Sequence, residues 1–158
     1  MKLNVSIVVY KHAITEVSAL VDLLQKSGVV AQIFLVDNSP QPNEAFAALP
    51  VNYIFNNKNL GYGAAHNIAL RKSIISDASY HLVVNPDISF EPEILIRITE
   101  YMDKNTNIGQ LMPEVFYPTG EIQYLCKLLP TPFDLIFRRF IPQKWTKKQT
   151  EIFEIRAS

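Results

Sequence analysis

With 158 residues, 48% of them hydrophobic and 19% charged, the chain is long enough for one domain with a substantial core. Its 15 basic and 15 acidic residues cancel, which argues against a nucleic-acid-binding protein, because such proteins usually carry clustered basic residues. The single cysteine, Cys126, excludes an internal disulfide, no signal peptide is evident, and no stretch approaches the roughly 20 apolar residues of a transmembrane helix, so the cytoplasm is the expected location.

Apolar strands and amphipathic helices alternate along the chain up to about residue 117. The predicted strands are residues 3–10, 32–37, 51–56, 80–85 and 108–116. The predicted helices are residues 14–26, 44–49, 61–76 and a fourth that begins near Pro92 and faces the core with Ile94, Leu95, Ile98 and Met102. This alternation predicts an α/β fold with a mostly parallel sheet, right-handed crossovers and flanking helices.

The pattern weakens after residue 117, where prolines recur. We therefore expect an α/β domain over residues 1–117 and, over residues 118–158, the incomplete start of a second, Pro-rich and basic region. The segment from Arg138 to Lys148 contains five basic residues and no acidic residue, and aromatic residues lie between the basic ones. Two interpretations stay open: a solvated face whose aromatic residues pack on the core, or a surface that contacts an anionic membrane or a lipid-linked acceptor.

The apolar run Leu82–Val84 ends in an oxygen-rich turn, Asn85-Pro86-Asp87. Because Pro86 favours extended geometry at Asn85 and stops the strand, Asp87 should project from the carboxyl end of a strand. Two earlier apolar runs, which end at Tyr10 and at Asp37, would place polar groups at the same edge, where open α/β sheets bind ligands. One carboxylate plus substrate phosphates suffices for Mg²⁺ or Mn²⁺, although Asn-Pro-Asp also makes an ordinary tight turn.

The segment from Asn59 to Asn67 places two glycines and two alanines at a loop-to-helix junction. Small residues let a ligand approach the backbone closely. The first N–H groups of a helix carry no internal partner and a partial positive charge, which suits phosphate or sugar oxygens. The segment therefore predicts an anion-binding helix start.

Together these pieces resemble the inverting glycosyltransferases of family 2, which have the GT-A (Rossmann-like nucleotide-diphospho-sugar transferase) fold, and within them the rhamnosyltransferase-like branch. The similarity runs from about residue 3 to about residue 140, and its matching segments are Val8–Tyr10, Val36–Ser39, Asn59–Asn67 and Asn85–Asp87. The resemblance implies transfer of a sugar, such as rhamnose, with inversion, from a dTDP-, UDP- or GDP-linked donor to a glycan or lipid-linked acceptor. It also implies a role in cell-envelope polysaccharide synthesis at the inner face of the plasma membrane.

The resemblance also implies a donor site, formed by Val9, Tyr10, Asp37, Asn59, Gly61, Tyr62, Gly63, Asn67 and Asn85. Val9 and Tyr10 would line the base. Asp37 would accept hydrogen bonds from the base or the ribose, and the alternative for it is an acid that caps the turn after its strand.

Asp87 would bind the Mg²⁺ or Mn²⁺ that bridges the donor phosphates and stabilises the leaving diphosphate. Many relatives carry Asp-x-Asp at this point, so the first of their two carboxylates is replaced by Asn85 in this chain. His66 stands where many relatives have an arginine, and we expect it to be structural. His12 and His81 show no partner pattern.

No residue is identified as the catalytic base. In the family it is usually an aspartate in an acidic motif further along the chain, and none of the late acids has that context: Glu121, Asp134, Glu151 and Glu154. The chain therefore resembles the donor-binding half of a transferase, truncated at the C-terminal side, with the base expected beyond residue 158. The alternative is a non-catalytic nucleotide-sugar-binding or interaction domain. A truncated sheet would expose apolar surface, which a homodimer could cover.

Other nucleotide-binding α/β proteins fit the sequence less well. Dinucleotide-binding proteins carry G-x-G-x-x-G after the first strand, and the segment Tyr10–Ala13 contains no glycine. Sugar-nucleotide pyrophosphorylases also have an early glycine-rich loop. A receiver domain could use Asp37, but it would not explain the segment Gly61–Asn67.

Overall fold

The computed structural model describes residues 3–123. The strands are β1 (Leu3–Val9), β2 (Val30–Asp37), β3 (Asn52–Phe55), β4 (Tyr80–Val84), β5 (Val115–Phe116) and β6 (Ile122–Gln123). The helices are α1 (Ile14–Lys26), α2 (Tyr62–Ile74), α3 (Glu93–Lys104) and one 3₁₀ helix, Glu44–Ala48. A first compact unit ends at Ile108, and a second begins at Gly109. The predicted division after residue 117 stays a prediction.

The first unit is built on a four-stranded parallel sheet with the order β3-β2-β1-β4. β1 is a central strand, where Val5 pairs with Ile33 of β2 and with Leu82 of β4. Because both faces of the sheet carry helices, every residue of β1 is buried. The predicted α/β fold with a mostly parallel sheet flanked by helices is confirmed.

The two faces of β1 differ in chemistry because side chains alternate along a strand. The odd positions of β1 are all apolar and pack with α1, the 3₁₀ helix and α3 in the main core, through Val17, Leu20, Val21, Leu24, Phe46 and Leu95. The even positions, Asn4, Ser6 and Val8, contact α2. Ala65 and Ala69 of α2 are fully buried on this side, where their small side chains allow the helix to lie close to the sheet.

α3 agrees with its predicted start, since Pro92 is the capping residue and Glu93 the first helical residue. Of the predicted core positions, Leu95 is buried and Ile94 packs against the core. Thr99 is also buried, which the sequence did not indicate. Its hydroxyl donates to the carbonyl oxygens of the helical turn before it, each at 2.9 Å, so its burial leaves no polar atom without a partner.

The predicted strand over residues 108–116 is wrong for most of its length. Of residues 108–116 only Val115–Phe116 form a strand, and it pairs antiparallel with Ile122–Gln123. Gly109 and Pro113 interrupt the apolar run, since glycine weakens a strand and proline cannot donate to a sheet. Gly120, at φ 85°, closes the turn between β5 and β6.

Within residues 3–123 no helix has the length and apolar character needed to cross a membrane. Cys126, the basic and aromatic segment Arg138–Lys148, and the acids Asp134, Glu151 and Glu154 lie outside the described residues.

Candidate functional site

The carboxyl ends of the four parallel strands share one edge of the sheet, here called the carboxyl edge. The residues that directly follow β1 to β4 are Tyr10, Asn38, Asn56 and Asn85. α2 also begins here, since it follows β3 and leads back to the start of β4. The sequence-predicted residues from separate segments therefore belong to one edge.

Asp37 ends β2 with its side chain fully buried. Its Oδ1 accepts a hydrogen bond from the backbone N–H of Ser39 at 2.8 Å, and its Oδ2 accepts one from the hydroxyl of Tyr53 at 2.7 Å. Burial, followed by this bond to Asp37, raises the pKa of Tyr53 to about 12, so the hydroxyl keeps its proton. These are the contacts of a turn-capping acid. A contact between Asp37 and the base or ribose stays a prediction.

Asn38 joins the end of β2 to the loop before α2, a role that the sequence did not reveal. Its backbone N–H donates to the carbonyl of Val9 at 2.9 Å, and its Oδ1 accepts from the amide of Asn56 at 2.9 Å. Its Nδ2 lies 3.4 Å from the carbonyl oxygen of Gly61 and 3.5 Å from Oδ1 of Asn59. One buried side chain therefore contacts three points of the loop that leads into α2. The one sequence feature that pointed to a role for Asn38 was its position between Asp37 and Ser39 at the end of a predicted strand.

Gly61 sets the start of α2. Its φ of 80° and ψ of 164° lie in a region open essentially to glycine alone, and its N–H donates to Oδ1 of Asn59 at 2.9 Å. The first helical hydrogen bond runs from Ala65 to Gly61, so the N–H groups of Tyr62, Gly63 and Ala64 point outward from an exposed first turn. A Cβ at Gly61 or Gly63 would meet nothing within 4 Å, so open space lies beside both residues.

Tyr62 and Asp87 come from different segments and lie near each other at this edge. Tyr62 is 53% exposed. Burial of part of its ring, and then the negative charge of Asp87, raises the pKa of its hydroxyl. Asp87 and Asn85 are exposed in the turn after β4, where the N–H of Ile88 donates to the carbonyl of Asn85 at 3.4 Å. An acid and a helix start thus share the carboxyl edge.

The loop after β1 is tied to the loop after β2. Lys11, at φ 57°, donates its backbone N–H to the hydroxyl of Ser39 at 2.8 Å. Its ammonium group lies 5.3 Å from the centre of the Tyr10 ring, which is 44% exposed and open to a ligand. Val9, by contrast, is buried in the main core, so what the structure shows of Val9 is packing.

Two predicted asparagines have different surroundings. The side chain of Asn59 is bonded within its own loop, to Gly61. Asn67 is exposed on α2, and within residues 3–123 no hydrogen bond of its side chain orders the loop. A direct contact of Asn67 with the donor stays a prediction.

His66 and His81 meet at Ser6 beneath the first turn of α2. The hydroxyl of Ser6 lies 2.8 Å from Nδ1 of His66 and 2.8 Å from Nε2 of His81. His66 is 3% exposed, and its ring stands edge-on to Tyr62 at 4.3 Å between centroids. The structural role expected for His66 agrees with these contacts. The sequence shows no partner pattern for His81 because its partner, Ser6, is distant in sequence.

The candidate site offers a divalent cation one carboxylate ligand, that of Asp87. Within the described residues no three His, Cys, Asp or Glu side chains form a metal-binding group. Asp87 is exposed, and no hydrogen bond inside residues 3–123 occupies its carboxylate. This donor set fits an ion that takes its other ligands from water and substrate phosphates, as Mg²⁺ does, and does not fit an ion held by protein groups alone.

A groove of about 350 Å³ lies at the opposite edge of the sheet, between the starts of β2 and β3. Its lining includes Gln25, Val30, Leu49 and Asn52. None of the predicted donor residues lines it, and ligands of open α/β sheets bind at the carboxyl edge. The groove is therefore separate from the candidate site.

Two crystal structures of S. aureus TarS have a similar fold. The first matches with a TM-score of 0.52 and 18% identity, over 75% of this chain and 24% of that chain. The second, of TarS residues 1–349, matches with a TM-score of 0.50 and 19% identity, over 75% of this chain and 40% of that chain. The chain thus spans less than half of either structure, and at this identity the likeness concerns the fold alone.

No curated protein matches the chain. The sequence model described as "Glycosyl transferase family 2" matches residues 17–152, which is most of the chain. That range begins within α1 and includes the turn at Asp37, the start of α2 and the turn at Asp87. The predicted GT-A fold is confirmed, and the chain belongs to glycosyl transferase family 2.

Proposed function

We propose that the carboxyl edge binds a nucleotide-diphospho-sugar and that the chain is the donor-binding part of an inverting glycosyltransferase. The donor carries dTDP, UDP or GDP, and the sugar, by resemblance, is rhamnose. The acceptor is a glycan or a lipid-linked glycan of the cell envelope, at the inner face of the plasma membrane. The observation that carries the proposal is the shared location of the exposed first turn of α2 and the exposed carboxylate of Asp87.

Each part of the donor has a group of matching chemistry. The ring of Tyr10 offers an exposed face to the base. The free N–H groups of Tyr62, Gly63 and Ala64 suit the oxygens of a diphosphate, and the open space beside Gly61 and Gly63 admits it. Asp87 would hold Mg²⁺ or Mn²⁺, which when bound neutralises charge on the leaving diphosphate.

The alternative is a domain that binds the donor without transferring the sugar. Transfer needs a base for the acceptor hydroxyl. Asp37 is unsuited to that role, since it is buried and both of its oxygens have partners. Because no base is identified in this chain, we expect the chain alone to bind donor and to turn over little of it.

Calorimetric titration with dTDP, UDP and GDP, each with and without Mn²⁺, tests the binding site. We expect one nucleotide to bind in a Mn²⁺-dependent way and Asp87→Ala to weaken it at least about tenfold, which corresponds to ~1.4 kcal/mol. The matched control is Asp77→Ala, which removes an exposed acid from the loop before β4, at the opposite edge. Equal effects of the two substitutions, or no binding of any nucleotide, would contradict the proposal.

Release of free nucleotide from the intact nucleotide-sugar separates the two candidate functions. A transferase domain hydrolyses its donor slowly even without acceptor, whereas a pure binding domain returns the donor unchanged. Release would rule out a pure binding domain, whereas binding without release fits both functions, because no base is identified in this chain.

A further inference from the structure

A bridge of three polar side chains, of which Ser6 and His66 are buried and His81 is partly buried, lies directly beneath the candidate site. The hydroxyl of Ser6, in the middle of β1, contacts Nδ1 of His66 on α2 and Nε2 of His81 on β4, both at 2.8 Å. A single hydroxyl therefore joins the central strand, the helix whose first turn faces the donor, and the strand that leads to Asp87. We call Ser6, His66 and His81 the histidine bridge.

The histidine bridge is built for uncharged rings. The hydroxyl has one proton, so it donates to one imidazole and accepts an N–H from the other, and two neutral rings satisfy it. The outer nitrogens, Nε2 of His66 and Nδ1 of His81, are buried and have no hydrogen-bond partner. No carboxylate within residues 3–123 bonds to either ring, so a positive charge there would lack a counter-ion.

Burial, followed by the neighbouring His81, lowers the pKa of His66 to about 4, and burial lowers the pKa of His81 as well. The other titratable groups on the packed elements are Tyr62, Arg71 and Lys72 on α2 and Tyr80 at the start of β4. Asp87 follows β4, and its charge reaches Tyr62. A proton on either ring therefore favours exposing that ring to water. Because His66 belongs to the first two turns of α2, exposing it means lifting the start of the helix from the sheet.

We propose that the histidine bridge is a positioning device of the donor site: it holds the first turn of α2 against β1 and β4 while both imidazoles are neutral, and protonation of either ring releases the turn and weakens nucleotide binding. The inference rests on the proposed function for its ligand. Its residues touch no donor atom, and they act through the N–H groups of Tyr62, Gly63 and Ala64.

The test is the pH dependence of nucleotide affinity in the full chain, measured by calorimetry with Mn²⁺ at pH 7.5 and pH 5.5. It is compared with the double variant His66→Asn/His81→Gln. Asparagine carries an amide group near the position of Nδ1, and glutamine carries one near that of Nε2, so both substitutions can bond to Ser6 without titrating. The phosphates of the nucleotide also titrate in this range, but that contribution is common to both proteins and cancels in the ratio of their affinities.

We expect the unaltered chain to lose at least threefold more affinity than the double variant between these pH values. The third histidine, His12, accepts a hydrogen bond from the backbone N–H of Tyr10 and is the competing source of a pH effect. His12→Asn should therefore keep the pH dependence of the unaltered chain. Equal pH dependence of the unaltered chain and the double variant would overturn the proposal, as would loss of the effect in His12→Asn.

Hydrogen exchange gives a readout that needs no nucleotide. The N–H of Ala65 makes the first helical hydrogen bond of α2, to Gly61, at 3.2 Å. Ser6→Ala should lower its protection at least tenfold and leave the last turn of α2 less affected. Unchanged protection of Ala65 would overturn the proposal. If no nucleotide binds the unaltered chain at any pH, the proposed function is wrong, and the exchange of Ala65 alone decides whether the bridge holds the turn.

Discussion

Removing one hydroxyl, in the substitution Tyr53→Phe, should destabilise the fold through Asp37. The hydroxyl donates to the fully buried carboxylate at 2.7 Å and accepts from the N–H of Asn43 at 3.2 Å. Phenylalanine fills nearly the same volume, so little packing is lost. Asp37 keeps only its bond from Ser39, and one carboxylate oxygen is left buried without a partner. A hydrogen bond to a charged group contributes about 1.5–3 kcal/mol, so we expect a loss of about 2 kcal/mol.

The chain offers a matched control in Tyr80→Phe. The Tyr80 hydroxyl donates to Oδ1 of Asp103 at 2.6 Å, which is the same kind of bond at a similar distance, but this pair is exposed. Water replaces the lost partner there, so Tyr80→Phe should cost much less than Tyr53→Phe. Urea unfolding of the three proteins, followed by circular dichroism, measures both losses. Equal losses, or a loss below about 0.5 kcal/mol for Tyr53→Phe, would refute the argument that burial decides the strength of these bonds.

Two further predictions concern the start of α2. Gly61→Ala should destabilise the fold by about 1–3 kcal/mol, because alanine avoids φ 80° with ψ 164°. Gly63→Ala, inside the helix, should be neutral or stabilising. A lower urea midpoint for Gly63→Ala than for Gly61→Ala would contradict this. The pKa of His66 is lowered in the fold, so the unfolded chain takes up a proton on this ring more readily than the folded chain does. The contribution of His66 to the free energy of unfolding is therefore complete above about pH 6.5 and is lost as the pH falls toward 4. Between pH 7.5 and pH 5 the loss should be about 2 kcal/mol; a His66→Asn variant with the same pH dependence of stability as the unaltered chain would disprove it.

Hydrophobic periodicity predicted the helices that bury one apolar stripe and the strands that bury one apolar run. α1 agrees with its predicted bounds because Val17, Leu20, Val21 and Leu24 recur at helical spacing and all four are buried. The segment 108–116 is as apolar as some true strands, yet Pro113 and Gly109 outweigh its composition. Local breakers were visible in the sequence and should have counted more than hydrophobicity there.

The polar interior could not be predicted in the same way. Asn4 and Ser6 interrupt an apolar strand, which shows that one face of β1 meets polar groups, but their partners Ser73, His66 and His81 lie 60 or more residues away. The burial of Asp37 likewise depends on Tyr53, in the next strand. Sequence patterns identify which side chains need partners, and the tertiary fold alone decides which partners they find.

The strand order also constrains how the chain folds during synthesis. β1 pairs with β2, and β2 pairs with β3, so these three strands can associate before β4 is made. The second edge of β1 pairs with β4, Tyr80–Val84. A growing chain that has reached Phe55 can therefore form the three strands β3-β2-β1 while the second edge of β1 stays open. Until β4 is made, a strand of another chain can pair with this open edge. Aggregation therefore competes with folding while residues 56–84 are being synthesised.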